Sequence, residues 1–189
     1  MAQKRKDWNG LISGFKASDL VFLDESGCNT DMTRRYAYSL GGSRAVDSAP
    51  LSKPKNTTIL SSIQLDGTLR YTTFSGGTTV ERFKRYLETD LLPHLNGNSV
   101  LIMDNMKSHH AKAVRNLLDS SGVRYIYLPP YSPDLNPIEK LWSKVKSFLR
   151  KFKARTLDAL LNAIQCAFQT VSPSDCSGWF HSCGYSPYF

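Results

Sequence analysis

Asp24, Asp104 and Glu139 each stand where a metal-dependent phosphoryl-transfer site needs a carboxylate. Asp24 closes the apolar run Val21-Phe22-Leu23, and Asp104 closes a second, Val100-Leu101-Ile102-Met103. Both acids therefore fall at the ends of expected buried strands. Glu139 falls in the first turn of an expected helix. Held within about 4 Å of one another, such acids would repel by roughly 4 kcal/mol per pair at an effective dielectric of about 20, so a shared site calls for cations. A few hard oxygen ligands favour Mg²⁺ or Mn²⁺, and two ions about 3.5–4 Å apart can activate an attacking oxygen and stabilise a leaving one. The chemistry would be cutting and joining of phosphodiesters. Plainer roles exist for the same residues. An Asp after a strand is often a turn residue. In Asn136-Pro137-Ile138-Glu139 the Asn fits an N-cap, Pro the first helical position and Glu the third, close to a capping box. Capping and metal binding are compatible at Glu139, because the helix dipole stabilises an anion in the first turn.

The surroundings of the acids favour the chemical role. The segment Leu128-Pro129-Pro130-Tyr131-Ser132-Pro133-Asp134-Leu135-Asn136-Pro137-Ile138-Glu139, and Leu101-Ile102-Met103-Asp104-Asn105 followed by His109, resemble the DDE transposases of the mariner superfamily, especially the bacterial insertion-sequence 630 family. Between the second and third acids lie 34 residues, a spacing that superfamily shows, and Phe22-Leu23-Asp24-Glu25-Ser26-Gly27 resembles its first-acid motif. The similarity runs from about Leu20 to the end of the chain and takes in Trp179-Phe180-His181 and Gly184-Tyr185.

The resemblance implies a ribonuclease H-like α/β fold, a mixed central sheet flanked by helices, with Asp24, Asp104 and Glu139 as catalytic metal ligands for Mg²⁺ or Mn²⁺, two ions in number. It implies metal-assisted cleavage of double-stranded DNA at element ends, then attack of the freed 3′-hydroxyl on target DNA, at TA dinucleotides in relatives. Paired ends imply self-association, at least a dimer. Full-length relatives carry helix-turn-helix modules ahead of the catalytic domain, whereas about twenty residues precede the first acid strand here. The expectation is a catalytic half, either one reading frame of a frameshifted product or a truncated copy, with recognition supplied by a separate or fused module. Two other readings share these residues: a structure-selective nuclease of the same fold, and a catalytically silent DNA-binding remnant.

The elements that must position the acids can be read from pattern. A strand ends at Asp24, and 56–65 pairs with 68–74 across the two-residue turn Asp66-Gly67. Thr78 and Glu81 suggest a capping box opening a helix whose stripe is Val80, Phe83, Leu87 and Leu91. After the strand to Asp104, 108–120 reads as a helix and 123–128 as the last strand. From Pro137 the set Ile138, Leu141, Trp142, Val145, Phe148, Leu149 and Phe152 keeps helical spacing, and 156–170 is expected as the final helix. The chain divides into a basic arm over 1–19 carrying Lys4, Arg5 and Lys6, a catalytic domain over 20–172, and a tail over 173–189 packed on or near the domain.

A net charge of +8 and a pI near 9.4 favour a polyanionic partner, although an anionic membrane surface would serve the charge alone. After Glu139 come Lys140, Lys144, Lys146, Arg150, Lys151, Lys153 and Arg155, with no acid until Asp158. Lys140, Lys144, Lys146, Arg150 and Lys151 are expected phosphate contacts on DNA, joined by Arg34 and Arg35 in the loop after the first strand. His109 matches a family histidine and is expected to touch the substrate or to orient the second acid. Glu25 should point away from Asp24 along the strand, and Glu25 and His110 are left out of the expected site. At 189 residues and 41% hydrophobic content, the chain can bury one substantial core. Its apolar stretches are too short to span a bilayer and its start lacks a signal peptide's apolar segment, so a cytoplasmic, nucleoid-associated bacterial protein is expected. Cys28, Cys166, Cys176 and Cys183 form no CxxC pair and are expected to be free thiols; Cys176, His181 and Cys183 are irregularly spaced for zinc.

Overall fold

The computed structural model describes residues 2–34, 36–51 and 54–185. Its centre is one five-stranded sheet ordered β3-β2-β1-β4-β5, with β1 Leu20–Cys28, β2 Thr57–Gln64, β3 Leu69–Ser75, β4 Val100–Met103 and β5 Arg124–Tyr127. β1 pairs antiparallel with β2 and parallel with β4; β5 continues the parallel side. This is the expected mixed sheet of a ribonuclease H-like fold. The hairpin turns at Gly67, whose φ of +92° suits a residue without a Cβ.

Because side chains alternate along a strand, the sheet has two apolar faces. Leu20 and Phe22 of β1 pack with α4 (Ile138–Phe152), α5 (Leu157–Gln169) and α6 (Pro173–Ser182). Val21 and Leu23 belong to the opposite cluster, which holds Phe83 and Tyr86 of α2 (Val80–Tyr86) and Val114 and Leu118 of α3 (Lys112–Ser121). Continued one step further, that alternation sends Asp24 toward α4 and Glu25 toward α2 and α3.

Several expected boundaries move. β1 does not end at Asp24 but continues to Cys28, because β2 pairs with it along that whole length. The cap of α2 is Thr79, whose side-chain oxygen accepts from the Arg82 amide, and not Thr78. Helix α3 begins four residues later than expected because 106–109 form a turn in which the His109 amide donates to the Met106 carbonyl. No capping box forms at α4: the helix lacks a side-chain cap bond, and the buried Asn136 Oδ1 has no hydrogen-bond partner among the described residues, so Glu139 is free of that role. The segment read as a basic arm is helix α1 (Ala2–Ile12), anchored by buried Trp8. The segment read as a tail holds a sixth helix, α6, opened by a complete capping box between Ser172 and Asp175. No helix among the described residues is long and apolar enough to cross a membrane.

Helix α6 is part of the core: Phe180 is fully buried and meets Phe22 edge-on at 5.3 Å between ring centroids. Phe180→Ala is expected to cost about 3–5 kcal/mol in a denaturant titration. A loss below about 1 kcal/mol would show that α6 is dispensable to the fold.

Candidate active site

β1 and β4 lie side by side in parallel, with Leu23 opposite Met103, so their next residues, Asp24 and Asp104, adjoin where β4 stops and β1 runs on beside β2 to Cys28. Asp24 is almost buried. Its Oδ1 accepts from the Glu25 amide at 2.8 Å and its Oδ2 from Trp142 Nε1–H at 3.1 Å. Burial pushes the Asp24 carboxyl up to about 7, and the Asp104 charge adds to the rise, against the opposing pull of those two donors. Near neutral pH this group therefore lies between its acid and its carboxylate.

Asp104 behaves in the opposite way. Burial would raise it, but contact with His109 and a 3.0 Å bond from the Met106 amide outweigh that and hold it below the usual carboxylate range. His109 is completely buried, stacked on Phe83 at 4.2 Å. Its Nδ1 lies 2.8 Å from Asp104 Oδ1 and 3.3 Å from that residue's main-chain oxygen, and its Nε2 lies 3.2 Å from Glu25 Oε2. The last contact is an ion pair rather than an aligned hydrogen bond, because neither atom satisfies hydrogen-bond geometry. Burial alone would lower the imidazole, yet the two carboxylates raise it to about 9. His109 is thus a cation clamped between Glu25 and Asp104. Total burial removes it from contact with DNA, and it takes the orienting role.

Glu25, set aside in the sequence because it faces away from Asp24, does face away, and that face is where His109 waits. Trp142 was legible only as an apolar member of the α4 stripe, although a buried indole N–H needs an acceptor. Three residues after Glu139, it docks the first turns of α4 onto Asp24.

Glu139 is exposed and shares with Asp104 a cleft of about 410 Å³, walled by Leu128 and the 129–133 loop. Among the described residues no three His, Cys, Asp or Glu side chains converge closely enough to hold a metal ion unaided. The donor set nevertheless fits a hard divalent cation: two adjoining acids, one of them desolvated and short of a counter-charge, and a third carboxylate across the cleft. At the C-terminal end, Cys176 and Cys183 are buried while His181 is exposed, and all four cysteines are free.

The expected DNA contacts separate into two sets. Lys140, Lys144 and Lys151 line a groove beginning at Glu139 and passing Trp179, where Lys144 pairs with Asp175 at 2.6 Å. Lys146 and Arg150 turn to another face and meet Arg34 in a cavity of about 970 Å³. Arg35 lies outside the described residues. Lys153 pairs with Asp47, and Arg155 donates to the Thr30 carbonyl at 2.9 Å. His110 stacks on Tyr127, near enough to Asp104 to help lower it.

A family model described as DDE superfamily endonuclease matches residues 19–161. The Transposable element Tc1 transposase of Caenorhabditis elegans is 29% identical over 97 residues, 49% of this chain and 36% of that protein. The Tcb2 transposase of Caenorhabditis briggsae is 31% identical over 75 residues, 40% of this chain and 28% of that protein. The chain spans about a third of the length of these curated relatives. Among solved structures, a pre-cleavage Mos1 transpososome superposes with a TM-score of 0.82 at 20% identity, over 96% of this chain and 58% of that one. The Mos1 mariner paired end complex with Mn gives 0.79 at 21%, over 94% and 57%. The catalytic domain of Mos1 mariner transposase gives 0.72 at 17%, over 95% and 85%. At these identities the likeness is one of fold.

The His109 clamp carries a stability signature. A base whose folded pKa is raised from 6.5 to about 9 contributes stability that is fully present below pH 6.5 and lost as pH rises through 9. Urea unfolding without metal is expected to show stability falling between pH 7 and 9, with the fall absent in His109→Gln. Parallel profiles for the two proteins would remove the charged clamp.

Proposed function

The chain belongs to the DDE superfamily endonucleases, and from that premise we propose that it is the catalytic domain of a DNA transposase of the mariner superfamily and, on its motifs, of the bacterial insertion-sequence 630 family. The observation that carries the reading is the pairing of Asp24 and Asp104 on adjoining parallel strands, with the Glu139 helix bonded to Asp24 through Trp142. The reaction is hydrolysis of a phosphodiester at an element end, followed by attack of the freed 3′-hydroxyl on a target phosphodiester at a TA dinucleotide, which forms the new P–O bond and expels the target strand's 3′-oxygen.

Asp24, Asp104 and Glu139 would hold Mg²⁺ or Mn²⁺, two ions in the working site. Bound there, the ions supply activation of the attacking oxygen and neutralisation of charge at the leaving oxygen. The protein's part is placement. Trp142 fixes one Asp24 oxygen and the Glu25 amide fixes the other, while His109 neutralises and aims Asp104. Lys140, Lys144 and Lys151 on one side of α4, and Lys146, Arg150 and Arg34 on another, meet phosphates. Those contacts give affinity and salt sensitivity rather than base choice. The partner is double-stranded DNA, two ends brought together by a dimer, with helix-turn-helix recognition fused or supplied in trans, in the bacterial cytoplasm.

Asp104→Asn is expected to abolish Mn²⁺-dependent cleavage and strand transfer while leaving folding and DNA binding nearly unchanged. Wild-type cleavage without joining would instead identify a nuclease of the same fold, and equal activity in the variant would take Asp104 out of the mechanism. Metal binding gives a second check. Asp24 holds a proton below about pH 7 that a cation must displace, so Mn²⁺ affinity should rise roughly tenfold per pH unit up to that point and level off above it. The sign follows from a raised acid. Without metal, its contribution to stability is present below pH 3.8 and lost as pH rises through 7, so Mn²⁺ should raise the melting temperature more at pH 8 than at pH 6. A pH-independent gain would contradict it.

A further inference from the structure

Tyr131 combines three properties seldom found in one residue. It is 88% exposed although aromatic. Its φ is +55°, a left-handed conformation that an L side chain enters at a cost of roughly 1 kcal/mol or more. It also stands on the wall of the cleft that holds Asp104 and Glu139. Pro129, Pro130 and Pro133 restrict the chain on both sides of it. Ser132 beside it is buried, its hydroxyl donating to the Pro130 carbonyl at 3.3 Å and its carbonyl accepting from the Leu135 amide at 3.1 Å. Among the described residues Tyr131 makes no hydrogen bond and has no aromatic or cationic partner for its ring, so the loop holds it at the rim with a free face.

We infer that Tyr131 is a stacking platform for an unpaired nucleobase of DNA beside the phosphate being cut or joined. This deepens the transposase reading and rests on it. A ring with a free face gains by stacking on a base only when that base has left the duplex, so the residue discriminates frayed, overhanging or flipped nucleotides from paired ones. The strained φ is Tyr131's own, and the flanking prolines and buried Ser132 hold the residue there on the cleft wall. The phenolic oxygen has no part in this; the ring does.

The test measures binding of the full chain, with Mg²⁺, to a duplex bearing a short single-stranded overhang with 2-aminopurine at the junction, and to the same duplex made blunt. Wild type should prefer the overhang and quench its fluorescence, and Tyr131→Phe should do the same. Tyr131→Gly and Tyr131→Asn, which accept positive φ, should bind the overhang at least about fivefold more weakly and blunt duplex equally well. Their melting temperatures should match or exceed wild type, an outcome opposite to that of a structural tyrosine. Undiminished overhang preference in both variants, or a melting temperature that falls with the affinity, overturns the inference. Equal wild-type affinity for both duplexes overturns it too while leaving metal-dependent cleavage in place, whereas no DNA binding by wild type overturns the transposase reading beneath it.

Discussion

Two carboxylates side by side on neighbouring parallel strands, Asp24 within β1 and Asp104 just past the end of β4, are an electrostatic liability, and the arrangement around them answers it. The Asp104 charge raises the cost of ionising Asp24, and the chain resolves the conflict by giving the two acids unlike surroundings. Asp104 faces a buried imidazolium and stays ionised. Asp24 is pressed beneath α4 and reaches neutrality at a pH where ordinary aspartates are long ionised. The protein alone thus leaves Asp24 incompletely ionised near neutral pH, and the missing counter-charge is what a divalent ion would bring. The sheet, the α4 packing and the turn carrying His109 all serve that asymmetry.

Much of this was visible in the residues because the constraint is local. The apolar run before Asp104 marks a strand that stops there, and Gly67 after Asp66 marks a hairpin through turn chemistry; the run before Asp24 marks a strand but not its end, because pairing with β2 carries β1 on to Cys28. The α4 stripe needs only a period of 3.6. What the residues could not show is which face of the sheet each element covers. Glu25 was dismissed by correct reasoning about alternation, since nothing local reveals that α2 and the 106–109 turn bring Phe83 and His109 to the far face. Trp142 was hidden differently: a stripe assigns it to the core and is silent about the polar atom on its ring.

Helix α6 and helix α1 escaped for opposite reasons. In α6 the signal was present, since Ser172-Pro173-Ser174-Asp175 carries both a capping box and Pro at the first position, but Gly178 and a thin apolar stripe obscured it. In α1 there is little stripe to find: its one buried anchor among the residues with described side chains is Trp8, and an isolated helix of 11 residues is marginal in water. Tertiary contact decides there. The same holds for Asn136, whose cap geometry looks ideal in sequence and whose side-chain oxygen nonetheless stays unpaired.

Those two helices converge on the segment that feeds Glu139. Trp8 Nε1–H donates to the Tyr185 hydroxyl at 3.2 Å, and that hydroxyl donates to the Leu135 carbonyl at 2.7 Å. The Tyr185 ring lies 5.0 Å from Phe22, two residues before Asp24. One buried tyrosine thus touches the strand that presents the first acid and the turn that precedes the third, while an indole from the chain's other end holds its oxygen. Glu139 is itself exposed and lightly constrained, so its placement is inherited from its backbone: Trp142 pins α4 to Asp24 from one side, and Tyr185 pins the entering turn from the other. A hydrophobic core could supply rigidity alone. Two hydrogen-bonded aromatic anchors also fix direction, because each bond is lost if the helix slides by a fraction of a turn.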